Sequence, residues 1–316
     1  MFLKFRVLFL LFLAVSLPLL TLTAQSQPKK AAKPKPKVDA SQQMEKLKKT
    51  PSTLLWEVSG NGLKEPSYLF GTMHILCLED ARLSENLKKI IKESKKIYFE
   101  IDMDDREQMM GALKYVRMND GVKLSDLLTK EEYDRVDAYF KKKNLQIPLS
   151  MINRFKPLFV SSLLEEKMME CTTQKGMEEQ IMKESKQYDK VIMGLETVQF
   201  QAGLFDSIPY AKQAKDLIQY IDSADNYKSN MKVMVDVYKK QDLDRMDSLT
   251  RKSDPGMDQY MDLLLYDRNR KWVQQMPSLM MEGHLLFAVG AGHLPGEKGV
   301  IALLKSKGYT VKPLKN

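Results

Sequence analysis

The chain has 316 residues, 43% of them hydrophobic, and a formal net charge of +9. Residues 1–50 hold ten Lys or Arg against Asp39 and Glu45, so all but one unit of that charge lies there. The basic balance therefore describes the N-terminal segment and gives no argument for nucleic-acid binding by the remainder, which is long enough to bury a large core.

Met1-Phe-Leu-Lys-Phe-Arg carries two positive charges, Val7 to Leu20 is apolar apart from Ser16 and Pro18, and Leu22-Thr-Ala24 supplies small residues. This order predicts a signal peptide over 1–24, and hence export to the periplasm or the medium. The apolar run is short for a span of about 20 residues, and no Cys follows it to accept a lipid, so export is favoured over anchoring. Residues 25–50 are rich in Lys, Pro, Ala and Gln around Lys33-Pro-Lys-Pro-Lys37, a composition that buries almost nothing. They predict a basic linker, either a solvated tether or a contact with cell wall or anionic lipid.

Residues 51–316 read as one domain. Leu54 to Ser59 and Tyr68 to Phe70 flank Gly60-Asn-Gly62 and predict a hairpin. The second strand ends in Gly71-Thr-Met-His74. Helical spacing over 83–95 leads to Lys96-Ile-Tyr-Phe-Glu100-Ile-Asp102, and a strand, helix, strand order implies a parallel pair. Helical patterns cover 106–116, 130–142, 155–169 and 176–188, and Val191-Ile-Met-Gly-Leu-Glu196 follows as another strand. Met231, Met234, Val235 and Tyr238 form an amphipathic stripe. Asp254-Pro255-Gly256 starts a further helix with its stripe at Met261, Leu264, Leu265, Arg268 and Trp272. Strand Leu285 to Val289, the loop Gly290-Ala-Gly-His293, a helix over 299–307 and a last strand from Tyr309 complete the chain. This order predicts an α/β fold with helical insertions.

Four residues stand at or just beyond four strand-like runs: His74, Glu100, Glu196 and His293. Only three histidines are present, and two share a Gly-x-x-His setting. Ligands in open α/β sheets gather beyond the carboxyl ends of strands, so both imidazoles are expected at one rim. Two imidazoles and two carboxylates suit a divalent transition metal such as Zn, Mn, Fe or Co, which would activate a water nucleophile. One glutamate would complete the ligand set and the other take the proton, an assignment left open. Arg268 occupies an inward position, where a guanidinium either snorkels to the surface or meets carboxylates; with Asn269 it is expected to hold substrate or stabilise an oxyanion.

Each of these residues taken singly has a structural alternative, a loop or core histidine, a strand-end acid or a structural ion pair, and only the conjunction points to a site. His284 is expected to be exposed, and Asp102 and Asp104 solvated. Cys77 and Cys171 either bridge or sit as two buried sulfurs, with thiolate ligation by Cys77 a further option. No H-E-x-x-H, G-x-S-x-G, Walker or G-x-G-x-x-G motif competes.

As an ordered set, Leu55-Trp-Glu-Val-Ser, Phe70-Gly-Thr-Met-His74, Tyr98-Phe-Glu100, Gly194-Leu-Glu196-Thr, Arg268-Asn269 and Val289-Gly-Ala-Gly-His-Leu-Pro-Gly296 resembles the TraB/PrgY/GumN family, which includes the Tiki metalloproteases. The resemblance implies a mixed β-sheet core, similar to the erythromycin esterase and ChaN-like group, and in Tiki-like members a peptidase using manganese or cobalt. It carries function to His74, Glu100, Glu196, Arg268 and His293. No C-terminal membrane anchor is expected. The combined expectation is an exported hydrolase using Mn, Co or Zn on a peptide or protein substrate. Its alternatives are a non-catalytic binder of peptide or a haem-like ligand, and an envelope interaction protein tethered by its linker.

Overall fold

A computed structural model describes residues 51–252 and 260–316. The expected leader and linker, and the helix start at Asp254-Pro255-Gly256, lie outside the described residues.

In chain order the elements are β1 (Leu55–Ser59), β2 (Ser67–Thr72), β3 (Leu76–Cys77), α1 (Glu85–Glu93), β4 (Lys96–Ile101) and α2 (Arg106–Tyr115). Next come α3 (Leu124–Leu127), α4 (Lys130–Lys142), α5 (Pro157–Glu165), β5 (Gln174–Lys175), α6 (Met177–Lys186) and β6 (Val191–Glu196). A helical stretch follows, with α7 (Val198–Leu204), α8 (Tyr210–Asp222), α9 (Ala224–Lys239), α10 (Leu243–Lys252) and α11 (Asp267–Met280). The chain closes with β7 (Leu285–Gly290), α12 (Val300–Ser306) and β8 (Thr310–Pro313). The architecture is α/β, with a mixed six-stranded sheet in the order β6-β4-β7-β2-β1-β8 and a separate two-stranded ribbon, β3 with β5.

Local chemistry sets these bounds. The hairpin turns through Gly60, Asn61 and Gly62, all at positive φ, where glycine and asparagine are tolerated best. The Ser84 hydroxyl caps α1, and Thr129 with Glu132 forms a capping box on α4. On the Met231 stripe, Met231, Val235 and Tyr238 are buried and Met234 is partly buried, as the spacing requires.

The sheet departs from the expectation in one respect: β2 and β4 are not neighbours, because β7 lies between them and pairs parallel with both. Leu285 to Val289 are at most 1% exposed, so β7, continuously apolar, takes the centre, where both faces are covered. β2 is likewise buried along its whole length. One core cluster runs through the sheet and nearly all the helices.

The parallel strands β6, β4, β7 and β2 end at one rim, where Thr72 pairs with Gly290 and Ile101 with Glu196. The helical insertions meet the rim and leave a cavity of about 200 Å³ there. Among the described residues no helix is long and apolar enough to cross a membrane.

Candidate active site

His74 lies two residues past β2, Glu100 within β4, Glu196 at the end of β6, and His293 in the short turn Ala291–His293 after β7. Four segments far apart in sequence thus deliver their polar side chains to one rim. His74, Glu100, Arg268 and His293 line the same cavity. Glu196 joins them through Arg268.

Arg268 is 7% exposed and meets two carboxylates. Its Nη2 donates to Glu100 Oε2 at 2.5 Å and to Glu196 Oε2 at 2.9 Å, and its Nε donates to Glu196 Oε2 at 3.0 Å. Nη1 donates to the Leu264 carbonyl at 3.0 Å. That carbonyl belongs to a π-helical turn, Asp262–Tyr266, which leads directly into α11; such single turns recur at functional sites. Burial disfavours the guanidinium charge, yet the two glutamates outweigh it and raise the pKa.

Glu100 Oε1 accepts the Gly290 N–H at 2.8 Å. A Cβ on Gly290 would sit 3.1 Å from that same oxygen, so glycine permits the close approach. Gln201, on α7, donates from Nε2 to Glu100 Oε2 at 3.3 Å and to Glu196 Oε2 at 2.9 Å. Burial alone would raise the Glu100 pKa, but Arg268, the two histidines and the Gly290 N–H lower it to about 2. Two carboxylates face one guanidinium here, which leaves one unit of negative charge in excess.

His293 Nδ1 lies 2.6 Å from Asn269 Oδ1. The Asn269 amide orientation is fixed, because Nδ2 donates to the carbonyls of His293 and Lys298. An acceptor therefore faces Nδ1, which must carry the proton, and Nε2 keeps a lone pair. Nε2 sits 3.3 Å from Arg268 Nη1 and 3.7 Å from Glu100 Oε1. Burial, only partly opposed by Glu100 and reinforced by Arg268, drives the imidazole pKa down to about 3, so the ring is neutral.

His74 Nδ1 lies 2.7 Å from Oε1 of Glu178, a buried residue of α6. Burial would lower its pKa, but the Glu178 charge more than compensates and raises it. This pair is clamped by its surroundings. Cys77 and Cys171 form a disulfide, β3 pairs with β5, and the Met177 N–H donates to the Met73 carbonyl at 3.0 Å. The bridge closes a loop of 94 residues, which by chain entropy contributes about 4–5 kcal/mol. Cys77 is thus held by sulfur rather than available as a thiolate ligand.

Three other residues differ from expectation or stand apart from the site. His284 is half-buried rather than exposed, because the Tyr68 ring packs 4.7 Å from its own; burial lowers its pKa. Asp102 is also half-buried, with Oδ1 accepting the backbone N–H groups of Asp104 and Asp105, and burial raises its pKa despite them. Asp104 is exposed.

The donor chemistry suits a divalent cation. Each histidine has Nδ1 against an oxygen acceptor, the outer-shell arrangement usual for imidazoles that bind metal through Nε2, and the His293 Nε2 also faces Arg268 Nη1 at 3.3 Å. Glu100 Oε1 stands beside the Nε2 of His293, and the excess negative charge attracts a cation. Among the described residues no three His, Cys, Asp or Glu side chains stand together as a finished ligand cluster, and Arg268 draws an oxygen from each glutamate.

Sequence patterns did not single out Glu178, Gln201 or the Gly290 N–H. Glu178 sits seven residues past Cys171, and Cys77 three past His74, so the bridge would have signalled their proximity. Gln201 follows Glu196 by five residues, in the helix that the strand end feeds.

The sequence profile of the TraB/PrgY/gumN family matches residues 54–313, and the chain belongs to that family. It is 24% identical over 323 residues to a metalloprotease TIKI homolog of Amphimedon queenslandica, covering 84% of this chain and 62% of that protein. Metalloprotease TIKI1 of Danio rerio is 23% identical over 313 residues, covering 83% and 63% of the two chains. A TIKI homolog of Nematostella vectensis is 21% identical over 320 residues, covering 84% and 67%. The chain thus spans somewhat under two thirds of the length of the first two relatives. No solved structure gave a significant match.

Proposed function

We propose that this member of the TraB/PrgY/gumN family is a divalent-cation-dependent hydrolase of peptide bonds. The observation that carries the reading is the meeting of His74 and His293 with the Glu100–Arg268 pair on one cavity wall. The relatives' description as metalloproteases supports the reaction class.

His74 and His293, through Nε2, and Glu100, through Oε1, would hold the cation, supplied as Mn, Co or Zn. When bound, the cation provides a Lewis acid that brings water activation near neutral pH. Glu196, the second carboxylate at the rim and 3.3 Å from Arg268 Nε through Oε1, would accept the proton from the attacking water. Arg268, whose N–H groups already point at Glu100, Glu196, the Leu264 carbonyl and His293, would act on the negative charge that develops on the substrate carbonyl oxygen through its own positive charge rather than through a free N–H. Gln201 and the Gly290 N–H keep both carboxylates in place, and Asn269 and Glu178 hold the imidazoles.

Arg268 already engages both carboxylates, which favours one second reading, the capture of a peptide or a haem-like ligand without turnover. The export and envelope contact expected of residues 1–50 belong to the same proposal.

The test is hydrolysis of a mixed peptide library by the purified chain, followed by mass spectrometry, with chelator and then with Mn, Co or Zn restored. Cleavage that is lost on chelation, regained with cation and absent in Glu196→Gln is the expected result. Cleavage indifferent to chelation removes the cation from the account; no cleavage with retained peptide binding favours the second reading.

A further inference from the structure

Beyond its polar floor the cavity changes character. The helical insertions line it with Met168, Phe205, Met231, Met234, Met246 and Leu265, an apolar wall rich in methionine. Its volume is about 200 Å³. An apolar cavity of roughly 150 Å³ accepts benzene, so one of this size has room for a single bulky side chain. Methionine side chains are unbranched and polarisable, and they adapt to more than one apolar shape.

Polar groups interrupt this wall, Glu165, Tyr220 and Asn230 among them. The Tyr220 hydroxyl and the Asn230 Nδ2 are buried and have no hydrogen-bond partner among the described residues. Tyr220 is 3% exposed, so water does not serve its hydroxyl freely. Leaving a buried donor unpaired is costly, and a cavity wall is where a ligand can return that cost by bringing an acceptor. Both residues line the cavity whose floor is the Glu100, Arg268 and His293 cluster.

We propose that this cavity is a specificity pocket for one bulky, uncharged apolar side chain of a peptide, of the leucine, methionine or phenylalanine class. Tyr220 and Asn230 donate to an oxygen of the same bound residue. The assignment rests on the peptide reading above and adds the residue class that the site selects. Charged side chains are disfavoured, because burying a charge without a partner is costly.

The test uses binding, so that it is independent of cleavage. The full chain, labelled at its methionine methyl groups, is titrated with the N-acetyl amides of leucine, methionine, phenylalanine, lysine and glutamate. The first three should shift the methyl signals of Met231 and Met234 and bind at least about 10-fold tighter than the last two. Tyr220→Phe, which removes only the oxygen, should weaken them about 5-fold, the loss expected for one hydrogen bond of roughly 1 kcal/mol. Met231→Trp, which fills the cavity, should abolish the response. Tighter binding of the lysine amide, or undiminished binding by Tyr220→Phe, overturns the assignment whether or not Met231→Trp folds. Selective binding without hydrolysis of any peptide sinks the hydrolase reading alone; hydrolysis without apolar preference sinks this one alone.

Discussion

Asn269 accepts the Nδ1 proton of His293 across 2.6 Å, while its own amide group is anchored on two backbone carbonyls. The tautomer of the deepest imidazole is therefore dictated by a neighbour that has no freedom to turn. Loss of such an outer-shell partner typically costs 10- to 100-fold in metal affinity, as an order of magnitude. Asn269→Leu should weaken Mn or Co binding by about that factor, measured calorimetrically, whereas Asn269→Asp, which keeps an acceptor facing Nδ1, should retain most of it. Equal affinity in Asn269→Leu would remove Asn269 from the site.

The two ion pairs of Arg268 are buried on both sides, with side-chain exposures of 8% or less. Removing one member of a buried pair leaves an uncompensated charge and costs about 3–5 kcal/mol. Arg268→Met should lose stability on that scale in urea unfolding, and adding Glu100→Gln and Glu196→Gln should recover much of it. A mild effect of Arg268→Met alone would mean that water reaches the carboxylates.

Acid should act through Glu100. Its folded pKa, about 2, lies below the usual unfolded value of about 4.3, so its ionised form favours the folded state. That stability is fully present above about pH 5 and is lost as the pH falls through 4 towards 2. Urea unfolding between pH 6 and 3 should show a loss that Glu100→Gln reduces; an identical slope in the variant would contradict the assignment.

His74 should titrate in the opposite sense. Its pKa is raised in the fold, so the pair with Glu178 contributes stability below the unfolded value of about 6.5 and loses it as the pH rises through the folded pKa. In Glu178→Gln burial is left as the leading influence, and the His74 pKa should drop below 6.5, read from its ring proton shifts by NMR. An unmoved pKa would show that Glu178 does not hold the ring.

Much of this site could be read from local signals. His74, Glu100, Glu196 and His293 are legible because apolar runs end at them, and runs that end together at a sheet rim must place their next polar residues together. Arg268 was legible from helical spacing, since an inward guanidinium needs acids. Neighbour relations were not: β7 separates β2 from β4 because its five apolar residues demand the doubly covered centre, a choice that depends on all the strands at once. Glu178 and Gln201 were not singled out, because which side chain of α6 or α7 faces the rim depends on packing, and the Cys77–Cys171 bridge that draws α6 there was one of several options the two cysteines left. His284 was misjudged because the covering Tyr68 ring comes from a strand 216 residues earlier in the chain.

The central claim is that His74 and His293 grip one cation together. Equilibrium dialysis of the purified chain against cobalt, with visible absorption to follow coordination, tests it most directly beside His74→Ala and His293→Ala. One cobalt per chain, with its ligand-field bands lost or strongly weakened in both folded variants, is the predicted result. Equal cobalt content and an unchanged spectrum in all three proteins would contradict the account.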